Sequence, residues 1–147
     1  MELLNRGVGG HIFAADLIDP AEAPPVALVT VAYGTNDWGF DLSRDTFARH
    51  AEDFLRALLA VYHHSRPVIA VISPLWRADW QEARPGGTLR EFSAVLRDVC
   101  GRLAGVRFLD GWDLVPHRSD CFGIGCHPND DGFAHVADGL YDLLGLP

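Results

Sequence analysis

Uncharged apolar runs alternate with amphipathic stripes along this chain. Val26-Ala27-Leu28-Val29-Thr30-Val31-Ala32-Tyr33 is apolar or β-branched throughout and carries no charge, which reads as a strand buried on both faces of a parallel sheet. Val68-Ile69-Ala70-Val71-Ile72 repeats the pattern, and Val106-Arg107-Phe108-Leu109 gives a shorter strand. Glu2-Leu3-Leu4-Asn5 reads as the end of another short strand. Between them lie helical stripes. Over residues 41–62, Phe47, Ala51, Phe54, Leu55, Leu58, Leu59 and Tyr62 recur at helical spacing, with Ser43 placed to cap and Asp45 in the favourable first turn. Thr88-Leu89-Arg90-Glu91 has the form of a capping box, and Leu89, Phe92, Leu96, Val99 and Leu103 continue from it, with Cys100 packing in or near the stripe. Asn129 or Asp130 can cap a last helix carrying Phe133, Val136, Ala137, Leu140, Tyr141 and Leu144. Residues 11–18 suit a short helix ended by Pro20, Pro24 and Pro25. Strands alternating with helical crossovers predict an α/β fold, a parallel sheet with helices on both faces.

Composition narrows the partners. A chain of 147 residues, 48% hydrophobic and 22% charged, reads as one folded domain. Its net charge of −8, from 12 basic and 20 acidic side chains with no basic cluster, argues against nucleic acid. No apolar run reaches the length of a membrane span, and no basic start followed by an apolar core marks a leader. Cys100, Cys121 and Cys126 do not make a disulfide framework, so a reduced cytoplasmic setting is the default, with a Cys121–Cys126 bridge open to an oxidising compartment.

Candidate chemistry gathers where strands stop. The first long strand ends in Gly34-Thr35-Asn36-Asp37-Trp38, and ligands of open α/β sheets sit at the carboxyl ends of strands. Asn36 offers a neutral amide donor at any pH, suited to a developing oxyanion, although the residues alone also fit an ordinary turn. Ser73-Pro74 ends the next strand, and the tryptophan-rich Leu75-Trp76-Arg77-Ala78-Asp79-Trp80 either lines a cleft or caps the core. In Cys126-His127-Pro128-Asn129-Asp130 the histidine precedes a helix, where it can serve as a general base. Cys126 beside it is a poor nucleophile for that base, because adjacent side chains diverge. The glycine loop Arg6-Gly7-Val8-Gly9-Gly10 lacks both the dinucleotide and the P-loop pattern, so no nucleotide cofactor is expected. His63 and His64 read as a solvated helix end rather than metal ligands, and Cys121-x4-Cys126-His127 matches neither haem nor zinc spacing. No metal or cofactor is expected.

Taken in order, Asn5-Arg6-Gly7-Val8-Gly9-Gly10, Tyr33-Gly34-Thr35-Asn36-Asp37 and His127-Pro128-Asn129-Asp130-Asp131-Gly132-Phe133 resemble the second, third and fifth sequence blocks of the SGNH (GDSL-type) hydrolases. Those are serine esterases and acylhydrolases on a flavodoxin-like, three-layer α/β/α sandwich. The resemblance implies that the Gly10 backbone N–H and the Asn36 amide form an oxyanion hole, that His127 takes the proton of a nucleophilic serine, and that the substrate is a small-molecule ester. Two departures accompany it. The Gly-Asp-Ser block that carries the nucleophile occurs nowhere; among Ser43, Ser65, Ser73, Ser93 and Ser119, only Ser73 lies at a strand end, and it precedes proline. The acid that orients the histidine belongs three residues before it, where Ile124 stands, leaving Asp120 as a substitute or a backbone carbonyl in its place. Asp37, next to Asn36, is a secondary candidate, chiefly for loop order. The family's first strand is central, so residues 1–147 read as a single, N-terminally truncated domain with a gap in its sheet. The gap gives an edge open to self-association, and the chain as it stands is expected to lack hydrolase activity. A non-catalytic module binding an acyl or carbohydrate ligand is the alternative, and a flavodoxin-like binding module whose resemblance is accidental is a third.

Overall fold

The computed structural model describes residues 3–123 and 126–145. Three strands, β1 (Leu28–Val31), β2 (Val68–Ile72) and β3 (Val106–Leu109), form a parallel sheet in the order β1-β2-β3. Leu28 stands opposite Val68, and Ile69 opposite Val106. Four helices surround it: α1 (Thr35–Gly39), α2 (Arg44–Val61), α3 (Leu89–Gly101) and α4 (Asp130–Leu144). The alternation of β2 sorts its side chains into two cores. Ile69 and Val71 face α2 and α3, in a cluster with Phe47, Phe54, Leu55, Phe92 and Leu96. Ala70 and Ile72 face the other way, with Leu109 and Leu114, against Val136, Leu140 and Leu144 of α4. The result is the three-layer α/β/α sandwich expected from the sequence. Phe47 and Phe92 meet at 4.8 Å between ring centroids across the α2–α3 seam, and truncating either to alanine costs roughly 3–5 kcal/mol.

The caps follow their residue types. Ser43 Oγ accepts from Thr46 N at 3.2 Å. Thr88 and Glu91 complete the reciprocal capping box. Asn129 Oδ1 accepts from Gly132 N at 3.0 Å, and α4 ends at Gly145 in the left-handed conformation.

Four sequence expectations are corrected. The first long apolar run is an edge strand of four residues, not a doubly buried one: Thr30 is exposed, Val29 half-buried, and only Val31 is buried. Among the described residues nothing pairs with the edge of β1 opposite β2. Residues 3–5 are exposed and form no strand. The short helix over residues 11–18 shrinks to a 3-10 turn, Ala15–Leu17, followed by another, Pro20–Glu22, because the Phe13 N–H is drawn off to Asp37 instead of a helical partner. The helix expected from residue 41 begins at Arg44, since Asp41 takes a left-handed φ of 58° and Leu42 N bonds back to Asp37 O.

Helix α4 runs antiparallel to the strands: Arg107, early in β3, donates to the carbonyl of Leu143 at the far end of α4. Its Gly139 lies against Leu114, just beyond β3. Phe133, Ala137 and Tyr141 follow one another at helical spacing along α4. They are uncovered, Phe133 at 56% and Tyr141 at 52% exposure. No described helix is long and apolar enough to cross a membrane.

Candidate active site

Parallel strands bring their carboxyl ends to one side of the sheet. At the end of β1 the chain turns on Gly34, whose φ is 109° and where a Cβ would stand 3.1 Å from the Pro74 ring. That turn launches α1 and puts two adjacent side chains onto one distant segment. Asn36 Nδ2 donates to His11 O at 2.8 Å. Asp37 Oδ1 accepts from Phe13 N at 3.2 Å. Together they clamp residues 11–13, the segment that directly follows Gly10, whose φ is 78°. An amide nitrogen has two hydrogens. His11 engages one from Asn36, and no other side-chain bond from that nitrogen occurs among the described residues.

Asp37 is fully buried, and its Oδ2 has no partner. Burial pushes its carboxyl above the ordinary range, against the opposing pull of the Phe13, Asp37 and Gly34 backbone N–H groups and of His50. Sequence reasoning missed this clamp, because the bonded residues are 24 and 25 positions apart.

The ends of β2 and β3 are tied differently. Ser73 is 2% exposed. Its Oγ donates to Asp110 Oδ1 at 3.3 Å and accepts from Gly111 N at 2.9 Å. Asp110 also accepts from Arg90 at 2.9 Å, Arg97 at 2.7 Å and Trp112 N at 3.2 Å. At Gly111 a Cβ would sit 2.2 Å from Ser73 O, so only glycine fits. Ser73, the one serine that the sequence places at a strand end, is thus a buried tie between strands. Ser43 is a helix cap, and Ser93 donates to Leu89 O within α3.

His127 follows β3 through two 3-10 turns, Gly111–Leu114 and Ser119–Cys121. A short antiparallel clasp holds its loop: Gly123 N donates to His127 O at 2.9 Å, Phe122 bridges Pro128, and Asn129 N donates to Cys121 O at 3.0 Å. Because α4 runs back along the sheet, this loop stands at the carboxyl end, the same end as Asn36. The His127 side chain is exposed, and no hydrogen bond reaches its ring among the described residues. The clamp joins Asn36 to His11, the residue after Gly10; no described contact joins His127 to Asn36 or Gly10. Asp120 pairs with Arg118 at 3.2 Å and gives its backbone oxygen to Asn129, so its carboxylate is not on the histidine ring. Ile124 lies outside the described residues.

The clasp also bears on the cysteines. Cys121, which accepts from Asn129 N, is buried and Cys126 half-buried, and both are free thiols. Burial pushes the Cys100 thiol up to about 12, in keeping with a core position. The His63 and His64 rings lie 3.6 Å apart and tilted by 43° in the exposed turn after α2, and no cluster of three or more metal-ligating side chains occurs among the described residues. Of the tryptophans, Trp38 is fully buried, donating to Gly87 O at 3.0 Å, while Trp76 is half-buried.

A model of the GDSL-like lipase/acylhydrolase family matches residues 2–135. No curated protein matches the chain. Among solved structures, a salicylyl-acyltransferase from a tetracycline biosynthetic pathway is similar at 19% identity and a TM-score of 0.65, over 86% of this chain and 40% of its own. A protein from Streptococcus pneumonia, described as a candidate platelet activating factor, is similar at 18% identity and a TM-score of 0.66, over 81% of this chain and 60% of its own. The chain therefore spans less than two thirds of either structure. At these identities the likeness is one of fold.

Proposed function

The chain belongs to the GDSL-like lipase/acylhydrolase family, and from that premise we propose that residues 1–147 form one domain supplying the oxyanion hole and the general base of a serine ester hydrolase or acyltransferase acting on small-molecule carboxylic esters. The clamp of Asn36 on His11, the residue after Gly10, is the observation that supports this reading. In it the free Asn36 N–H and the Gly10 N–H meet the oxygen of a tetrahedral intermediate, and fixed donors of this kind act where charge develops. His127 accepts the serine proton as Oγ attacks the ester carbon. It then returns that proton to the departing alcohol, leaving an acyl-serine that water or a second alcohol resolves.

The nucleophile belongs to a strand seated along the unpaired edge of β1. That placement is supported by the open hydrogen-bonding edge of β1 among the described residues. In the absence of that strand the chain has no acyl acceptor, and residues 1–147 alone are inactive. A second reading, a module that binds an acyl or carbohydrate ligand without turnover, is favoured by the engagement of Ser73 in its tie.

A serine-directed fluorophosphonate tests the proposal on residues 1–147 and on a form extended upstream with an in-frame Gly-Asp-Ser. The expected result is no label on the first and one label, on the added serine, on the second. Stoichiometric labelling of residues 1–147 overturns the account of the nucleophile. An extended form that folds but stays unlabelled favours binding without turnover.

A further inference from the structure

Beside the His127 loop, the carboxyl end of the sheet carries a run of aromatic rings that the proposed chemistry does not use. Trp76, beyond β2, stacks on His117, beyond β3, with centroids 5.6 Å apart and planes 11° apart. On its other neighbour, Phe122, Trp76 closes to 5.5 Å. Phe122 is the residue that bridges Pro128, next to His127, so the ring run joins the clasp that carries the general base. His117 is pinned from behind: its Nε2 donates to Trp112 O at 3.0 Å, and its ring meets the Trp112 ring edge-on at 5.2 Å. Yet His117 is exposed, and Trp76 and Phe122 are half-buried. Rings that only capped the core would be covered; these form a fixed, wet, apolar face.

We propose that Trp76, supported by His117 and Phe122, is a stacking platform for a neutral pyranose ring, which makes the ester handled at this site a carbohydrate ester. The location beside the base rests on the function proposed above; the platform itself does not.

Charge selects the ligand. Each arginine bordering the rings is already ion-paired: Arg77 with Asp79, Arg90 and Arg97 with Asp110, and Arg118 with Asp120. A carboxylate or phosphate on the ligand would meet four carboxylates, Asp79, Asp110, Asp113 and Asp120, against these four arginines, in a chain whose net charge is −8. Acceptors, by contrast, are at hand. Asp113, next to Trp112, is exposed and makes no ion pair among the described residues. A sugar ring matches this pattern, presenting C–H groups to the rings and hydroxyl donors to the carboxylates. An alkyl chain calls for an enclosed apolar pocket, and the open hollow of about 400 Å³ beside Asn129, Asp130 and Asp131 is lined by polar residues.

Indole N–H signals in ¹H–¹⁵N spectra of the chain provide the test, since they report binding without turnover. The probes are cellohexaose and xylohexaose, against benzoate and a galacturonic acid oligomer as anionic rivals. Trp76→Phe removes one signal and so assigns it. The expected result is a saturable shift of the Trp76 signal by at least one hexaose, with Trp38 unmoved, binding about tenfold weaker in Trp76→Ala and nearly retained in Trp76→Phe. Neither anion shifts the signal. Three outcomes overturn the proposal: no shift with either hexaose, unchanged affinity in Trp76→Ala, or saturable binding of an anion that depends on Trp76. A failure of fluorophosphonate labelling leaves this result standing, and the reverse also holds, so the two readings fail separately.

Discussion

Asp37 and Asp110 are the same residue type at the same end of the same sheet, and their surroundings drive them in opposite directions. Asp37, in α1 beyond β1, lies fully buried with one oxygen unpartnered, and burial raises its pKa. Burial pushes Asp110 upward as well, but the Arg90 guanidinium, the Trp112 N–H and the charge of Arg97 outweigh it and hold the carboxyl below the ordinary range. The Asp110 site ties two strands together with matched charges and a buried serine. The Asp37 site holds a loop in place with a buried acid that has no cation bonded to it. The difference separates a lock from a clamp: at one shared end of the sheet, the Asp110 site fastens β2 to β3, while the Asp37 site holds the segment that follows Gly10.

The comparison breaks most visibly in catalysis. In an upstream-extended form that has proved reactive to the fluorophosphonate, assayed without the label, Asn36→Ala is expected to lower kcat with little change in KM, a loss of roughly 3–4 kcal/mol of transition-state stabilisation. Equal turnover in single-turnover kinetics removes Asn36 from the chemistry. Next in size, Asp37→Ala strands the buried Phe13 N–H and is expected to destabilise the fold by about 2–3 kcal/mol in urea unfolding. Asp37→Asn keeps an acceptor for that N–H and drops the buried charge, so it should stay within about 1 kcal/mol of wild type. If both variants lose equally, the clamp is not a matter of one hydrogen bond. Ser73→Ala removes the acceptor of Gly111 N from the lock and is expected to cost about 1–2 kcal/mol in the same measurement, with no effect on turnover beyond the loss of folded protein. A selective loss of kcat would move Ser73 into the active site.

The smallest effect sharpens the contrast through pH. The raised folded pKa of Asp37 makes its contribution to stability greatest below 3.8, with loss as the pH rises through its folded value. The lowered pKa of Asp110 makes its contribution present above 3.8, with loss as the pH falls through its folded value. Unfolding free energies collected across this range should therefore show Asp37→Asn gaining on wild type as the pH rises, and Asp110→Asn falling behind. Profiles of the same slope for both variants would mean that the two acids share one environment.

What could be read in the sequence was local. Ser43, the Thr88–Glu91 box and Asn129 announce their helices because a cap and its partner lie within three residues. The layered fold was legible from the periods of Ile69, Val71, Phe92 and Leu96. The edge position of β1 was not, since eight uncharged residues look alike whether a neighbour covers them or not. Helix α1 escaped notice because its start depends on Gly34 fitting against Pro74, forty residues on. Ser73 and Asp110 are 37 residues apart, and neither predicts the other. At the candidate site, Asn36, His127 and Gly10 stood out by residue type and by resemblance. The clamp that ties Asn36 to His11, next to Gly10, arises only from folding.

That clamp also divides the chain for a protease. Residues 3–10 are exposed and carry no regular structure, while Phe13 is fully buried among Tyr33, Phe47 and Phe54. Exposed terminal segments are cut first, and anchored ones resist. Limited digestion should therefore trim inward and stall at residues 11–13. The fragment left behind keeps Asn36, His127 and the whole sheet but loses Gly10, so a single nick separates the backbone donor from the side-chain donor without unfolding the domain.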